Sequence, residues 1–561
     1  MKKIIGIDLG TTYSCVSFVN DYGQTEIVMN SDNERTMPSV VWFDGERAVV
    51  GKEAKEMSST SPNAVCSFVK RNIGNDDFTF EVDGVQYTPE HVSSLILRKL
   101  VQDASEYTGE KVTDVVITCP AYFFIKERDA TKRAGEMAGL NVLQIVNEPT
   151  AAAVAYGVKP GESSTKDTVV LVYDLGGGTF DITLIHVSEN GLDVICTDGD
   201  HQLGGKDWDD CLVRHIARRF TDETGITLDL ENKPEIYAEL MQRAEQIKKQ
   251  LTEKRSSQVK FFHEGETVQF DLSREDFERI TEDLVEKTLV LTHQCLTVAK
   301  EQKGFPTFDK LVLVGGSSRM PMIINRLKQE FGMEPQLFEP DEAVAKGAAI
   351  IGNNIRLRKM IEEKLQSKNP SRDLTLDTAT PTQISQAMQE TAAETGYTLE
   401  VIQRAKKRVR NVTSKSFGSE CIVGLTNNGE PIFAVINLIA RNTPLPASKS
   451  ENFSTMSDNQ LAVRVAVAQN MEDFPNKNGE NPPIPLDMCT LLWEGMLEML
   501  PGLPRGSLTT DTYLIDENGL LTITTEDPAS GNRLVQRIET GYSSINESAQ
   551  TTKRCRELTV E

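Results

Sequence analysis

Ile4-Ile5-Gly6-Ile7-Asp8-Leu9-Gly10-Thr11-Thr12 and Val170-Leu171-Val172-Tyr173-Asp174-Leu175-Gly176-Gly177-Gly178-Thr179 read as two copies of one pattern. In each, an apolar strand runs into Asp-Leu-Gly and a turn of small residues. A second strand follows, Cys15 to Val19 in one copy and Ile182 to Val187 in the other. This is strand–turn–strand, whereas the Walker and dinucleotide-binding glycine loops open a helix. Glycine in such a turn lets backbone N–H groups reach phosphate oxygens, because no Cβ intervenes. Two copies in one chain predict two related lobes whose turns hold a triphosphate from both sides. Thr11, Thr12 and Thr179 add hydroxyl donors, and Asp8 and Asp174 stand at strand ends, where carboxylates can hold magnesium through its waters. One copy alone would read as a tight hairpin; repetition moves the reading to phosphate.

Strand and helix signals alternate between and after the copies, which predicts an α/β domain over residues 1–352. Val112 to Cys119 and Val142 to Val146 read as strands, Ala130 to Ala138 and Lys233 to Thr252 as helices. Within this domain Glu148, in Asn147-Glu148-Pro149-Thr150, is a candidate to orient magnesium or a water, although an acid there is more often a helix start. Lys70, in Phe68-Val69-Lys70-Arg71, is a candidate for a γ-phosphate, against the plainer reading of a solvated lysine. Gly315-Gly316-Ser317-Ser318-Arg319 suits close approach to a nucleoside, or is an ordinary strand–loop turn. Residues 353–412 read as a helical connector, 413–541 as an all-β domain of short β-branched runs, and 542–561 as a short polar tail.

Hydrophobic content of 39% and charged content of 25% are ordinary for globular protein, and no run is long enough to span a membrane. The apolar N-terminal run stops at Asp8, which argues for a first strand over a signal peptide. A net charge of −23 argues against nucleic acid and anionic membranes as partners. Nine scattered cysteines without a CxxC pair point to a reducing, cytoplasmic setting and to no zinc site. Cys15, near the first glycine turn, reads as a small buried residue rather than a redox sensor.

GIDLGTTYSCV, ITCPAYF, VNEPTAAAVAYG, YDLGGGTFD, LGGKDWD, LVLVGGSSRMP and DEAVAKGAAI occur in order through residue 352. Ser416-Phe417-Gly418, RNTPLP, FSTMSDNQLAV, PRG and IDENGLLTITTED follow. Together they resemble the seventy-kilodalton heat-shock chaperone (DnaK-type) family over most of the chain. The resemblance implies an actin-like (ribonuclease H-like) ATPase domain, a helical connector, and a β-sandwich that binds peptide. By motif match, Gly10, Thr11, Thr12, Tyr13, Gly176, Gly177, Gly178 and Thr179 would bind the nucleotide's phosphates, and Gly205 would also belong to the ATP site. Glu245, Lys248, Lys249 and Thr252 would flank the adenosine, with Gly315, Gly316, Ser317, Arg319 and Asp341 closing its other side. Asp8, Glu148 and Asp174 would hold the magnesium shell. Lys70, Glu148, Thr179 and Asp181 would act in hydrolysis, Lys70 on the γ-phosphate and Asp181 on the attacking water. Pro120 and Arg128 match the family's relay between domains. Cys421, Ile422, Phe453, Met456 and Val463 match its peptide groove, although apolar residues alternating on a strand are usually core. ATP or ADP, magnesium and, as a further candidate, potassium would be the cofactors. Unfolded or extended polypeptide, a J-domain protein and a nucleotide-exchange factor would be the partners.

The chain departs from the family pattern in five places. The apolar-acidic linker is reduced to Asp373-Leu374-Thr375-Leu376-Asp377. No helical lid follows the β-domain. Gln144 replaces a basic residue used to engage J-domain partners, Ser419 stands where the groove wall is apolar, and the segment from Lys70 to Val112 is short. The leading expectation is an ATP-driven chaperone-like protein that hydrolyses ATP slowly to regulate its hold on apolar peptide. A nucleotide-switched regulatory or scaffold protein gripping one folded partner is the alternative. A small-molecule kinase of the wider actin-like superfamily is a third, disfavoured by the β-domain.

Overall fold

The structure is a computed structural model that describes residues 3–157, 167–189, 191–368, 374–472, 474, 479–517, 519–538 and 549–561. Both glycine patterns form the expected strand pairs. Ile4–Asp8 pairs antiparallel with Tyr13–Val19, and Thr168–Leu175 with Phe180–Ser188. Each pair sits in its own mixed sheet. In the first, Asp114–Cys119 lies parallel to Ile4–Asp8 and Asn141–Asn147 lies beyond it. In the second, Lys310–Val314 lies parallel to Thr168–Leu175, and Gly191–Asp200 flanks Phe180–Ser188. The parallel strands read as continuous apolar runs because both faces are covered.

The two lobes meet along the helices Ala343–Lys368 and Glu148–Gly157. These backbones approach so closely that a Cβ on Gly347 would lie 1.8 Å from the Ala151 carbonyl oxygen. A Cβ on Gly6 would likewise lie 2.1 Å from the Ala349 nitrogen. Small residues here let the first strand, the crossing helix and the helix opened by Glu148 share one core.

Residues 353–412 differ from the expected connector. The helix Ala343–Lys368 runs without a break through residue 352, and Leu357, Ile361 and Leu365 lie in the core between the lobes. Pro381–Thr395 and Leu399–Arg404 add Ile384, Met388 and Ile402 to that core. The region read as a helical connector also holds a strand, Arg408–Arg410, added parallel to Gly191–Asp200. The stretch expected as the linker is instead fastened to a helix. Leu374 N donates to Gln366 at 3.2 Å and Leu376 N to Glu362 at 3.4 Å, while both leucines lean on the interlobe core. Asp373 lies outside the described residues. The chain enters the β-domain directly from Arg408–Arg410.

That domain is two antiparallel sheets. One contains Ser416–Leu425, Pro431–Ile439, Ala462–Asn470, Ile484–Pro485 and Cys489–Glu498, and the other Ala447–Ser454, Leu508–Ile515, Leu521–Glu526 and Arg533–Ile538. Phe417, Leu438, Val467, Tyr513 and Ile523 fill the space between them. Ser419 is not on a groove wall. It is buried in this core, donating to Asp511 at 2.6 Å and 2.9 Å from the Tyr513 hydroxyl, and Thr525 donates to the other Asp511 oxygen at 2.7 Å. A buried hydroxyl is tolerated because its partners are buried with it.

The end of the chain is not a free tail. Residues 542–548 lie outside the described residues, but Ala549–Glu557 is a helix and Thr559–Val560 a strand paired parallel with Arg47–Val50 of the first lobe. Cys555, Leu558 and Val560 are buried in that lobe's core. The Arg98 guanidinium donates to the carbonyls of Cys555 at 2.8 Å and Leu558 at 3.0 Å, satisfying the end of the helix. An apolar residue every few positions among charged ones was the only sequence sign of this docking. Leu558→Asp would place a carboxylate in that core, so the segment is expected to detach rather than bury it. The Val50 amide, which donates to Glu561 at 2.9 Å, should then lose at least about tenfold in hydrogen-exchange protection. Unchanged protection at Val50 would refute the docking.

Candidate nucleotide site

A cavity of about 430 Å3 opens between the lobes, with both glycine turns on its floor. The turns face each other: a Cβ on Gly177 would lie 2.0 Å from the Thr12 hydroxyl, and one on Gly178 would lie 2.3 Å from the Thr11 methyl. Only glycine lets them close to this distance. Gly205 N donates to the Gly176 carbonyl at 3.0 Å and bolts the following helix, Gly205–Thr224, to the second turn. Arg71 was missed as a site residue. It donates to the Gly178 carbonyl at 2.9 Å and to Asp207 at 2.5 and 3.2 Å, so it holds the second turn from the first lobe. Its place beside Lys70 in the sequence was the available signal.

Lys70 is buried and donates to Glu148 at 2.6 Å. Phe68, at φ 58°, bends the chain into the short 3-10 turn Val69–Asn72 that carries Lys70 into the cavity. Asp8, Glu148, Asp174 and Asp181 gather round this one cation. Burial, then the Glu148 carboxylate, pushes Asp8 up to about 7 and Asp181 up to about 8, and holds Asp174 well above the carboxylate range. Burial works against the charge on Lys70, but the carboxylates of Glu148 and Asp8 outweigh it and raise the lysine. One oxygen of Asp181 accepts from the Tyr122 amide at 3.0 Å, and the other is buried without a hydrogen-bond partner. An acid-rich site with an orphaned buried oxygen fits a hydrated divalent cation, which would reverse the upward shifts. Among the described residues no three His, Cys, Asp or Glu side chains converge closely enough to hold a metal directly.

The opposite end of the cavity is lined by Glu245, Lys248, Lys249 and Thr252, from the helix Pro234–Glu253, and by Gly315, Gly316, Ser317, Arg319 and Asp341. Arg319 and Asp341 pair at 2.5 Å. Gly315, at φ 79°, packs where a Cβ would lie 2.4 Å from the Leu175 carbonyl. Glu245 accepts from the Tyr13 hydroxyl at 3.0 Å and pairs with Lys249 at 2.8 Å and with Lys55, tying the lobes across the cavity mouth. Burial opposes the Glu245 charge, but Lys55 and Lys249 prevail and draw it down to about 2. Lys55 and Thr36 were not anticipated; nothing near them in sequence marks a site. Of the expected nucleotide residues, Gly178, Gly205 and Asp181 are not among those that line the cavity, and Asp181 is buried on the adjoining strand. Cys15 is buried with its thiol raised well above the ordinary value, chiefly by burial, which suits a core residue.

Pro120 and Arg128 lie where the first lobe meets the β-domain. Arg128 donates to Asn147 at 2.5 Å and to the Ile145 carbonyl at 3.2 Å, and Gly519 of the β-domain lies against its guanidinium. After Pro120, Tyr122 touches Asp181 through its amide and Met471 through its hydroxyl, at 3.2 Å, and Ile125 enters the β-domain core. Lys415 of the β-domain is buried with its ammonium 3.8 Å from the centre of the Phe124 ring. On the other side, Arg441 pairs with Asp198 at 3.2 Å and Asn442 accepts from Thr197 N at 3.0 Å. The five groove candidates are more scattered. Cys421, Ile422 and Val463 are on one sheet, Phe453 and Met456 at the end of a strand in the other, and none is fully buried.

The two-lobed fold thus joins paired glycine turns and a buried lysine–carboxylate centre to a docked double-sheet domain. The family model described as "Hsp70 protein" matches residues 4–413 and 424–557. The chain is 34% identical over 554 residues to the protein called "Chaperone protein DnaK" in two strains of Halobacterium salinarum, R1 and NRC-1, covering 97% of this chain and 76% of each relative. This chain belongs to the Hsp70 family, whose members are ATPases that use ATP or ADP with magnesium and potassium and generally bind unfolded substrates, J-proteins and exchange factors. No described helix is long and apolar enough to cross a membrane.

Proposed function

We propose that this chain hydrolyses ATP slowly in the cavity between its lobes and uses the reaction to regulate its hold on extended apolar polypeptide, in the cytoplasm. The observation that carries the reading is the segment Pro120–Ile125, which touches Asp181 at one end and enters the β-domain core at the other. Glycine-turn amides and the hydroxyls of Thr11, Thr12 and Thr179 bind the phosphates. Lys70 neutralises charge on the transferring group, and Asp181 orients the attacking water and accepts its proton. Asp8, Glu148 and Asp174 would hold magnesium, which supplies charge neutralisation along the phosphates. Cys421, Ile422, Phe453, Met456 and Val463 form the peptide site, and Pro120 and Arg128 pass the nucleotide state to it. A J-domain protein and an exchange factor are the expected partners, the former meeting Gln144 instead of a cation. ATP turnover measured with and without a panel of apolar peptides tests the reading; no binding and no stimulation by any of them sinks its chaperone half. The docked C-terminal segment favours a second reading, a nucleotide-switched scaffold for one folded partner, which predicts capture of that protein and indifference to denatured substrate.

Lys415 supplies a further test of domain docking. Burial lowers it to about 8 from an ordinary 10.5, with Arg441 acting in the same direction and Glu127 and Asp198 against. Docking therefore carries the full cost of a buried cation below about pH 8 and strengthens as pH rises towards 10.5. Lys415→Met is expected to tighten docking at neutral pH and to flatten this rise, read as interdomain energy transfer against pH. Identical pH profiles for the two proteins would refute it.

A further inference from the structure

Arg404-Ala405-Lys406-Lys407-Arg408-Val409-Arg410 carries five cations and no acid in a chain of net charge −23. Nothing in the nucleotide or peptide sites uses this run. Its last three residues are the outermost strand of the second sheet, paired on one side only, with Gly191–Asp200. A Cβ on Gly191 would lie 2.0 Å from the Arg408 carbonyl oxygen, so glycine is what admits the strand at this edge. Beside it opens a cavity of about 340 Å3 whose charged lining is Asp193, Arg358, Asp377, Lys406, Arg408 and Arg410. Arg410 grips Asp193 with bonds of 2.6 and 3.1 Å, and Arg408 pairs with Asp377. Arg358 and Lys406 have no ion pair among the described residues, leaving the cavity two positive charges in surplus.

Cations on an edge strand often serve only to discourage pairing with other chains. That would account for Arg408 and Arg410. It does not account for Arg358, which the helix Ala343–Lys368 brings to the same cavity from elsewhere in the chain. An edge strand presents backbone donors and acceptors to an added strand, and the side chains beside it select the sequence. A free phosphate would satisfy the cations but leave the strand edge unused. We propose that this edge binds an extended acidic segment of a partner polypeptide. Its backbone lies alongside Arg408–Arg410, and its carboxylates meet Arg358 and Lys406.

The test uses the full chain and a fluorescent peptide of alternating glutamate and threonine, about eight residues long to match a short strand with its acids on one face. The peptide lacks apolar side chains, which keeps it out of the proposed groove. The peptide should bind in low salt, weaken several-fold at higher salt, and bind about tenfold more weakly to R358Q/K406Q. The double variant should keep its melting temperature and its ATP turnover, and a lysine–threonine counterpart should not bind. No binding of the acidic peptide, equal binding to the double variant, or binding of inorganic phosphate where the peptide fails would each overturn the proposal.

Discussion

Lys70→Ala should lower the ATP turnover number by about two to three orders of magnitude, the range found when a preorganised charge-stabilising group is removed from an active site. Lys70 is the cation held against Glu148, with Asp8, Asp174 and Asp181 close behind. On the proposed mechanism, removing it would leave carboxylates facing the phosphate that must accumulate charge. Nucleotide affinity should change far less, because both glycine turns and the Glu245–Lys249 side of the cavity are untouched. Single-turnover rates paired with ATP dissociation constants separate the two effects. Intact turnover would remove Lys70 from the mechanism, and a parallel loss of affinity would make it a binding residue only. The variant should also be less stable without nucleotide, by about 3 kcal/mol or more, since a buried ion pair that loses one partner leaves the other uncompensated.

Gly347→Ala should cost at least about 3 kcal/mol of stability, at the upper end for overpacking, even though alanine is the better helix former by about 1 kcal/mol. The new methyl carbon would sit 1.8 Å from the Ala151 carbonyl oxygen, which is backbone and cannot rotate away. The two helices must move apart, and one of them opens with Glu148. Turnover should therefore fall with stability in the molecules that remain folded. Gly352→Ala is the control: its methyl carbon would meet the Ile4 side chain at 2.6 Å, and a side chain can yield. Thermal unfolding of both variants ranks them, and equal stability would mean that the helices do not pack this closely.

Much of the candidate site's geometry was legible because its residues are consecutive. A strand ending in Asp-Leu-Gly carries its acid, its turn and its hydroxyls in one local pattern, and local geometry follows local sequence. Thr36 lines the cavity from a segment with no pattern of its own, and Arg71 and Lys55 escaped because their partners, Asp207 and Glu245, lie far away in the sequence. The connector was misread for a related reason. Helical periodicity shows that a helix has an apolar face and does not show what covers that face; here the cover is the interlobe core.

The sequence by itself determined the two opposed turns, the acids at their strand ends and the order of domains, because these depend on residue types at short spacing. Tertiary structure alone decided that Arg408–Arg410 joins the second lobe's sheet, that Ser419 lies between sheets, and that the last residues return to the first lobe. Each of those depends on a partner tens to hundreds of residues away. The free energy of such contacts comes from surfaces that meet only after the chain has folded.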